Sequence, residues 1–305
     1  MASVINQTTT VDSQSWFIPI DIIGIVCCVL TIVLTIIFLS LIIYDKRCHT
    51  VSMMLVANSC LCEFLFSIAL LIAILIVLEN DRKRTIQYEN ACFAAGYISY
   101  VACGTQNYSY LIQAIYRYVL VVYPNHLIYQ SAKFQLFIIS LMWICGIIYP
   151  IPFLLTNQIQ YDYNDHVCQM PFQFSFVTLF NVIYIYLLPM GLVMLIYFLM
   201  IRYVRQISRN VTTANRLFRV QRELRMTKRI VLLVLITVSL GIPYTLFMFM
   251  SFFGRPQKNQ FRIAYLFINI SLVLIMITVF IVTEPLQASF KKIRNRQLVT
   301  VVPVV

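Results

Sequence analysis

Charge is scarce in this chain. Only 11% of its 305 residues are Asp, Glu, Lys or Arg, with 11 acidic residues against 23 basic ones. Soluble domains carry about 25% charged residues, so most of this sequence cannot form a water-facing surface. Histidine is scarcer still. His49, His126 and His166 share no spacing, which argues against a metal site. There is no nucleotide loop, no zinc motif and no nucleophile–base pair, so no enzyme is read here. Repeats of the kind that build many transporters are missing, and the only low-complexity tract is the terminal Val-Val-Pro-Val-Val. Residues 1–15 are polar and lack the apolar core of a cleavable signal, so the first apolar run is expected to serve as the targeting signal.

Apolar residues fill the chain instead. They make up 61% of it, with a mean hydropathy of +0.84. They fall into seven runs, approximately Ile18–Tyr44, Met53–Leu78, Ala91–Tyr123, Phe134–Leu155, Phe172–Tyr203, Met226–Phe253 and Ile263–Pro285. A helix needs about 20 residues to cross the hydrocarbon core. Backbone groups in lipid must be satisfied internally, so such runs are helices unless they close a barrel, and the short alternating segments of barrel strands are absent. The expectation is an all-α membrane protein built as one seven-helix bundle over residues 18–287, with a short segment, 1–17, before it and a tail, 288–305, after it.

The basic residues set the orientation. Lys46, Arg47, Lys133, the dense series from Arg202 to Arg229, and Lys291, Lys292, Arg294 and Arg296 fall on one side. Arg82, Lys83, Arg84, Arg255, Lys258 and Arg262 fall on the other, interleaved with Glu79, Asp81, Glu89, Asp162 and Asp165. Short loops rich in Lys and Arg stay cytoplasmic, which puts the N-terminus outside and the C-terminus inside. The net charge of +12 is therefore read as attraction to anionic lipid, about 1 kcal/mol per residue near the surface, rather than to nucleic acid. Part of the series could also meet a protein partner. Asn6-Gln7-Thr8 is a glycosylation sequon on the expected outer face.

Of nine cysteines, six lie within runs, where small thiols pack well, and Cys48 is cytoplasmic. Cys92 and Cys168 alone face an oxidising compartment. A bridge between them is the economical reading, with two free thiols as the alternative.

Several residues together resemble the rhodopsin-like G-protein-coupled receptors. Arg117, in Ile-Tyr-Arg-Tyr, follows Cys92 by twenty-five residues, the family's spacing between its bridged Cys and the Arg of Asp-Arg-Tyr. Trp143 stands where the fourth span has its Trp, and Pro189 with Tyr197 matches the fifth-span Pro and Tyr. Gly-Ile-Pro-Tyr around Pro243 resembles the sixth-span Cys-Trp-x-Pro. Glu284-Pro285 resembles the start of Asn-Pro-x-x-Tyr, and Phe290-Lys291-Lys292-Ile293 the amphipathic helix after it. The chain is a divergent member: Tyr116, Gly241 and Ala288 replace the acidic residue before the Arg, the sixth-span Trp and the seventh-span Tyr, and Thr35 falls near the place of the first-span Asn.

The resemblance implies roles. Arg117, Tyr118, Tyr197 and Glu223, twenty residues before Pro243, would form the G-protein coupling end, with Glu223 pairing Arg117 in the inactive state. Pro189, Pro243 and Pro285 kink their helices; they could equally be tolerated without a hinge role. Glu63 and Glu284, the carboxylates deep within runs, would face each other, with Gln106 near them. Two close carboxylates do not both ionise comfortably, so a proton or a sodium ion is expected between them, whether or not it regulates anything. Ser99, Tyr100, Cys103, Asn181, Tyr244, Met248 and Thr278 are candidate ligand-pocket residues. Ser99 replaces the Asp of amine receptors and Thr278 the Lys of opsins, so neither a monoamine nor retinal is expected. The acidic outer loop Tyr161-Asp162-Tyr163-Asn164-Asp165 could receive a basic peptide or be a solvated hairpin. The expected function is transmission of an extracellular ligand's signal to a heterotrimeric G protein from the plasma membrane. The alternatives are an ion-coupled transporter or channel through Glu63, Gln106 and Glu284, and a receptor-like binding protein that no longer signals.

Overall fold

The computed structural model describes residues 17–83, 89–162, 165, 167–171, 173–209, 214–254, 260–283, 286–288 and 290. Within them the chain is helical apart from one hairpin. The helices are α1 (Phe17–Tyr44), α2 (Val51–Lys83), α3 (Glu89–Val122), α4 (Leu127–Gln130), α5 (Ala132–Ile148), α6 (Ile151–Leu155), α7 (Phe176–Val182), α8 (Leu188–Arg209), α9 (Ala214–Phe252) and α10 (Gln260–Val282). A 3-10 turn at Lys46–Cys48 joins α1 to α2, and a π-turn at Ile183–Leu187 joins α7 to α8.

Six helical stretches among the described residues are long and apolar enough to cross a membrane: Ile18–Tyr44, Val51–Asn80, Ala132–Leu155, Phe176–Tyr203, Val231–Phe252 and Gln260–Ile281. Their outward sides expose rows of large apolar residues, such as Ile22, Val26, Val29 and Val33 on α1. Water would not tolerate such a surface, but hydrocarbon does.

The third apolar run, Ala91–Tyr123, coincides with α3, which has the length, 34 residues, without the apolarity. Thr105, Gln106, Asn107, Ser109 and Gln113 interrupt it, and all five are buried. The helix packs against α2, α5, α8, α9 and the hairpin. A helix enclosed by protein over most of its surface, with only a few residues such as Ile98 and Ile115 exposed, can carry polar residues that bond across to its neighbours. The polar residues are therefore the sign of a central helix. One close approach fixes it against α5: a Cβ on Gly146 would stand 2.4 Å from Thr105 Cγ2.

The run over Phe172–Tyr203 is not one regular helix, and Pro189 supplies the reason. Proline has no N–H, so the carbonyls four and five residues before it, Ile185 O and Tyr184 O, lose the donor that an α- or π-turn would give them. Both carbonyls find partners on α3. Asn107 Nδ2 donates to Ile185 O at 3.0 Å, and the Tyr108 hydroxyl donates to Tyr184 O at 3.1 Å. The kink thus binds α8's entry to the central helix.

At one end of the bundle the hairpin β1 (Gln160–Asp162) and β2 (Val167–Gln169) pairs antiparallel, with Tyr161 opposite Cys168. Asp162 Oδ1 accepts from the Asp165 backbone N–H at 3.1 Å and closes the turn. Asp165 is 1% exposed, and its Oδ2 accepts from the Phe261 N–H in the first turn of α10 at 2.9 Å. A carboxylate at a helix N-terminus meets both orphan donors and the positive end of the dipole. Asp165 is therefore buried against α10 rather than presented to solvent, while Asp162 stays partly exposed.

Candidate functional site

Three groups of residues lie along α3, one at each end and one between them. At the hairpin end, Cys92 and Cys168 form a disulfide, with Cα atoms 5.5 Å apart. The approach is close because residue 96 is glycine; a Cβ there would stand 2.6 Å from Cys168 O. The bridge pins β2 onto α3, and the residue after it enters the bundle. The Tyr100 hydroxyl donates to Gln169 Oε1 at 2.7 Å and accepts from the Met170 N–H at 3.1 Å, while Gln169 Nε2 donates to the Tyr265 hydroxyl. Gln169 therefore ties α3 to α10 across the mouth of the bundle.

Beneath it is a cavity of about 40 Å³. Ser99, Tyr100, Cys103, Asn181 and Tyr244 lie around it, five of the residues singled out in the sequence. Gln169, Tyr186, Tyr265 and Phe66 complete much of its wall and were not anticipated. Of the remaining candidates, Met248 is buried in the same core as Tyr244 and Tyr265 without lining the cavity. Thr278 lies far along α10 and donates to Leu274 O at 2.7 Å, away from the cavity. Ser99 likewise gives its hydroxyl to Ala95 O at 2.8 Å.

Midway along α3, Glu63 is 1% exposed. Its Oε1 accepts from Gln106 Nε2 at 2.6 Å and from the Tyr110 hydroxyl at 2.5 Å. Its Oε2 has no hydrogen-bond partner among the described residues. Glu284 and Pro285 lie outside the described residues. Below this group a polar seam continues between α2 and α3: Gln113 Nε2 donates to Ser59 Oγ at 2.5 Å, and Ser59 and Ser109 hydroxyls are 2.8 Å apart. Ser52, Ser59 and Glu63 share one face of α2, as Gln106, Ser109, Gln113 and Arg117 share one of α3, because residues three, four and seven apart stack on a helix.

At the far end the Arg117 guanidinium donates to Ser52 Oγ and lies 5.9 Å from the centre of the Tyr116 ring. Tyr116 is buried in the α2–α3–α5 core. Tyr118 packs against Val121 and Met200, and Tyr197 is half-buried on α8. Glu223 falls on α9, but its side chain lies outside the described residues, as does Asn6. Pro243 sits inside α9. Trp143 Nε1 donates to Asn58 Oδ1 at 3.0 Å and fastens α5 to α2. Among the described residues no His, Cys, Asp or Glu group is arranged to hold a metal.

One helix thus joins a bridged, hairpin-covered cavity to an arginine at the opposite end. A family model described as 7 transmembrane receptor (rhodopsin family) matches residues 25–281. The chain belongs to this family. Comparison with curated proteins finds no match. This rhodopsin-family chain is accordingly an integral membrane protein, and its disulfide and polar helix α3 are to be read as parts of a receptor fold.

The sequence did not reveal every polar contact of this rhodopsin-family chain. Asp21 on α1 and Arg262 on α10 form an ion pair at 3.4 Å, their side chains 8% and 3% exposed. Opposite charges at the same edge of the first and last runs were the available clue. Ser52, Ser59 and Gln113 gave a fainter one, the seven-residue and four-residue spacings that put them in line with Glu63 and Arg117.

Proposed function

We propose that this protein is a seven-span receptor of the plasma membrane that passes an extracellular ligand's signal to a heterotrimeric G protein. α3 is the third of seven spans, residues 1–17 are outside, and residues 288–305 form the cytoplasmic tail, with the basic loops against anionic lipid. The observation that carries this reading is the family match over residues 25–281, joined to the placing of Cys92 and Arg117 at opposite ends of one central helix. Ligand entering among Tyr100, Asn181 and Tyr244 would press on α3, α7 and α9 together, because these residues line one cavity.

In this reading Glu223 pairs Arg117 when the receptor rests, and Arg117 is released to the G protein when α9 swings at Pro243. Glu63 with Glu284 holds a proton or a sodium ion in the resting bundle. Supporting this, Glu63 is buried and one of its oxygens has no hydrogen-bond partner among the described residues. Gly241 and Ala288 leave the usual relay residues missing, and the α2–α3 polar seam offers another connection between the cavity end and Arg117.

The same seam favours one competing reading, an ion path through the bundle. Second-messenger output and ion flux measured on the same cells decide between them. The receptor reading expects ligand- or mutation-dependent nucleotide exchange on a G protein and no flux. Flux that depends on Glu63, without any exchange, overturns it.

A further inference from the structure

We propose, on the reading of this cavity as the ligand site, that it takes a small uncharged molecule bearing a hydrogen-bond donor, which Asn181 receives once Gln169 gives way. The first ground is the absence of charge. The cavity's walls are tyrosines, apolar side chains and the neutral Ser99, Cys103, Gln169 and Asn181. Neither neighbouring carboxylate lines the cavity: Asp165 turns one oxygen to the Phe261 N–H, and Glu63, one turn from Phe66 on α2, turns one to Gln106 and Tyr110. An ammonium or carboxylate entering here would be desolvated without a counter-ion in the wall, a cost of several kcal/mol.

The second ground is Asn181. It is 6% exposed, it lines the cavity, and its Oδ1 has no hydrogen-bond partner among the described residues. A buried carboxamide oxygen left so costs about 1–3 kcal/mol, and a hydroxyl or amide N–H placed in the cavity would relieve it. Tyrosine faces around it suit a flat apolar body.

Size supplies the third ground. About 40 Å³ is far below the roughly 300–1,000 Å³ of sites for drug-sized ligands. Gln169 fills the remaining space with its own amide, bonded to the Tyr100 and Tyr265 hydroxyls. Its withdrawal would enlarge the cavity and free both hydroxyls for the entering molecule. Gln169 thus occupies the site as a stand-in, and ligand binding is an exchange of one neutral hydrogen-bonding group for another.

The test uses the full chain in lipid nanodiscs and four matched probes: benzyl alcohol, toluene, benzylammonium and benzoate. Thermal unfolding reads occupancy without any G protein, and non-reducing mapping of Cys92–Cys168 checks that each variant has folded. Benzyl alcohol is expected to stabilise the parent, toluene less, and the two ions not at all. Asn181→Leu should weaken benzyl alcohol roughly tenfold, with the same probes also reporting any partition into lipid. Asn181→Ser, which keeps an acceptor, should retain part of the effect, and Asn181→Asp should admit benzylammonium. Gln169→Ala should bind the alcohol roughly threefold to tenfold more tightly. The proposal is overturned if either ion stabilises the parent as well as the alcohol does, if Asn181→Leu leaves the alcohol's effect intact, or if the alcohol stabilises neither the parent nor Gln169→Ala. Occupancy following this pattern without any nucleotide exchange would sink the receptor reading and leave the cavity's chemistry standing.

Discussion

Glu63 shows how a single residue can be read from sequence in kind but not in detail. A carboxylate inside an apolar run costs about 2.5–3.5 kcal/mol on insertion scales, so a compensating arrangement was to be expected. Gln106 was foreseeable as a neighbour, whereas Tyr110, which also donates to Oε1, was hidden among the aromatic residues of α3. Replacing the carboxylate tests the arrangement. Glu63→Leu should leave two buried donors without their acceptor, at about 1–3 kcal/mol each. Glu63→Gln keeps an acceptor oxygen and should cost less. Thermal unfolding of the two variants in one lipid preparation checks the order, and equal losses would show that the hydrogen bonds contribute nothing. Asp165 is a residue where the loop's sequence misled. Five polar residues in a row suggest solvent, but its carboxylate is spent on the first turn of α10, a role set by tertiary position that no local pattern could show.

Among the elements, the apolar runs located the spans because hydrocarbon imposes length and composition at once. Elements outside the hydrocarbon left no such trace. α9 begins at Ala214, twelve residues before the run that marks it, since a segment interrupted by Arg and Lys every third residue or so forms no apolar run. Irregularity was visible only as prolines. Pro189 announced a distortion; the partners of the carbonyls it strands lie on another helix and were not legible. This predicts a coupling. Asn107→Leu should destabilise by about 1–3 kcal/mol, because Ile185 O loses its donor. Pro189→Ala restores a backbone N–H that can reach the same carbonyls, so the double variant should lose less than the sum of the single changes, by about 0.5–1 kcal/mol or more. Strict additivity in a double-mutant cycle would detach the kink from α3. The approach of β2 to α3 gives a second check. Gly96→Val should hinder the Cys92–Cys168 bridge, since even a Cβ at that position meets Cys168 O, and non-reducing peptide mapping would then recover free thiols.

For the whole molecule, the order of landmarks from Cys92 to Pro243 was enough to suggest the family, while the departures at Tyr116, Gly241 and Ala288 left the route of signalling open. The polar residues of α3 explain why it is not among the six strongly apolar helices: they bond to α2 and to the π-turn before α8. In the proposed receptor the bundle is a switch whose resting state is held at the Arg117 end. Exposed ion pairs are worth only ~0–1 kcal/mol, whereas breaking a buried one costs about 3–5 kcal/mol, and each ~1.4 kcal/mol shifts a two-state ratio about tenfold. The most direct measurement is nucleotide exchange on a purified heterotrimeric G protein by the nanodisc-embedded chain without ligand, comparing the parent, Glu223→Ala and Arg117→Ala at matched amounts. Basal exchange is expected to be roughly threefold to tenfold above the parent in Glu223→Ala, and no higher than that of the G protein alone in Arg117→Ala. Exchange identical in all three forms would contradict this expectation.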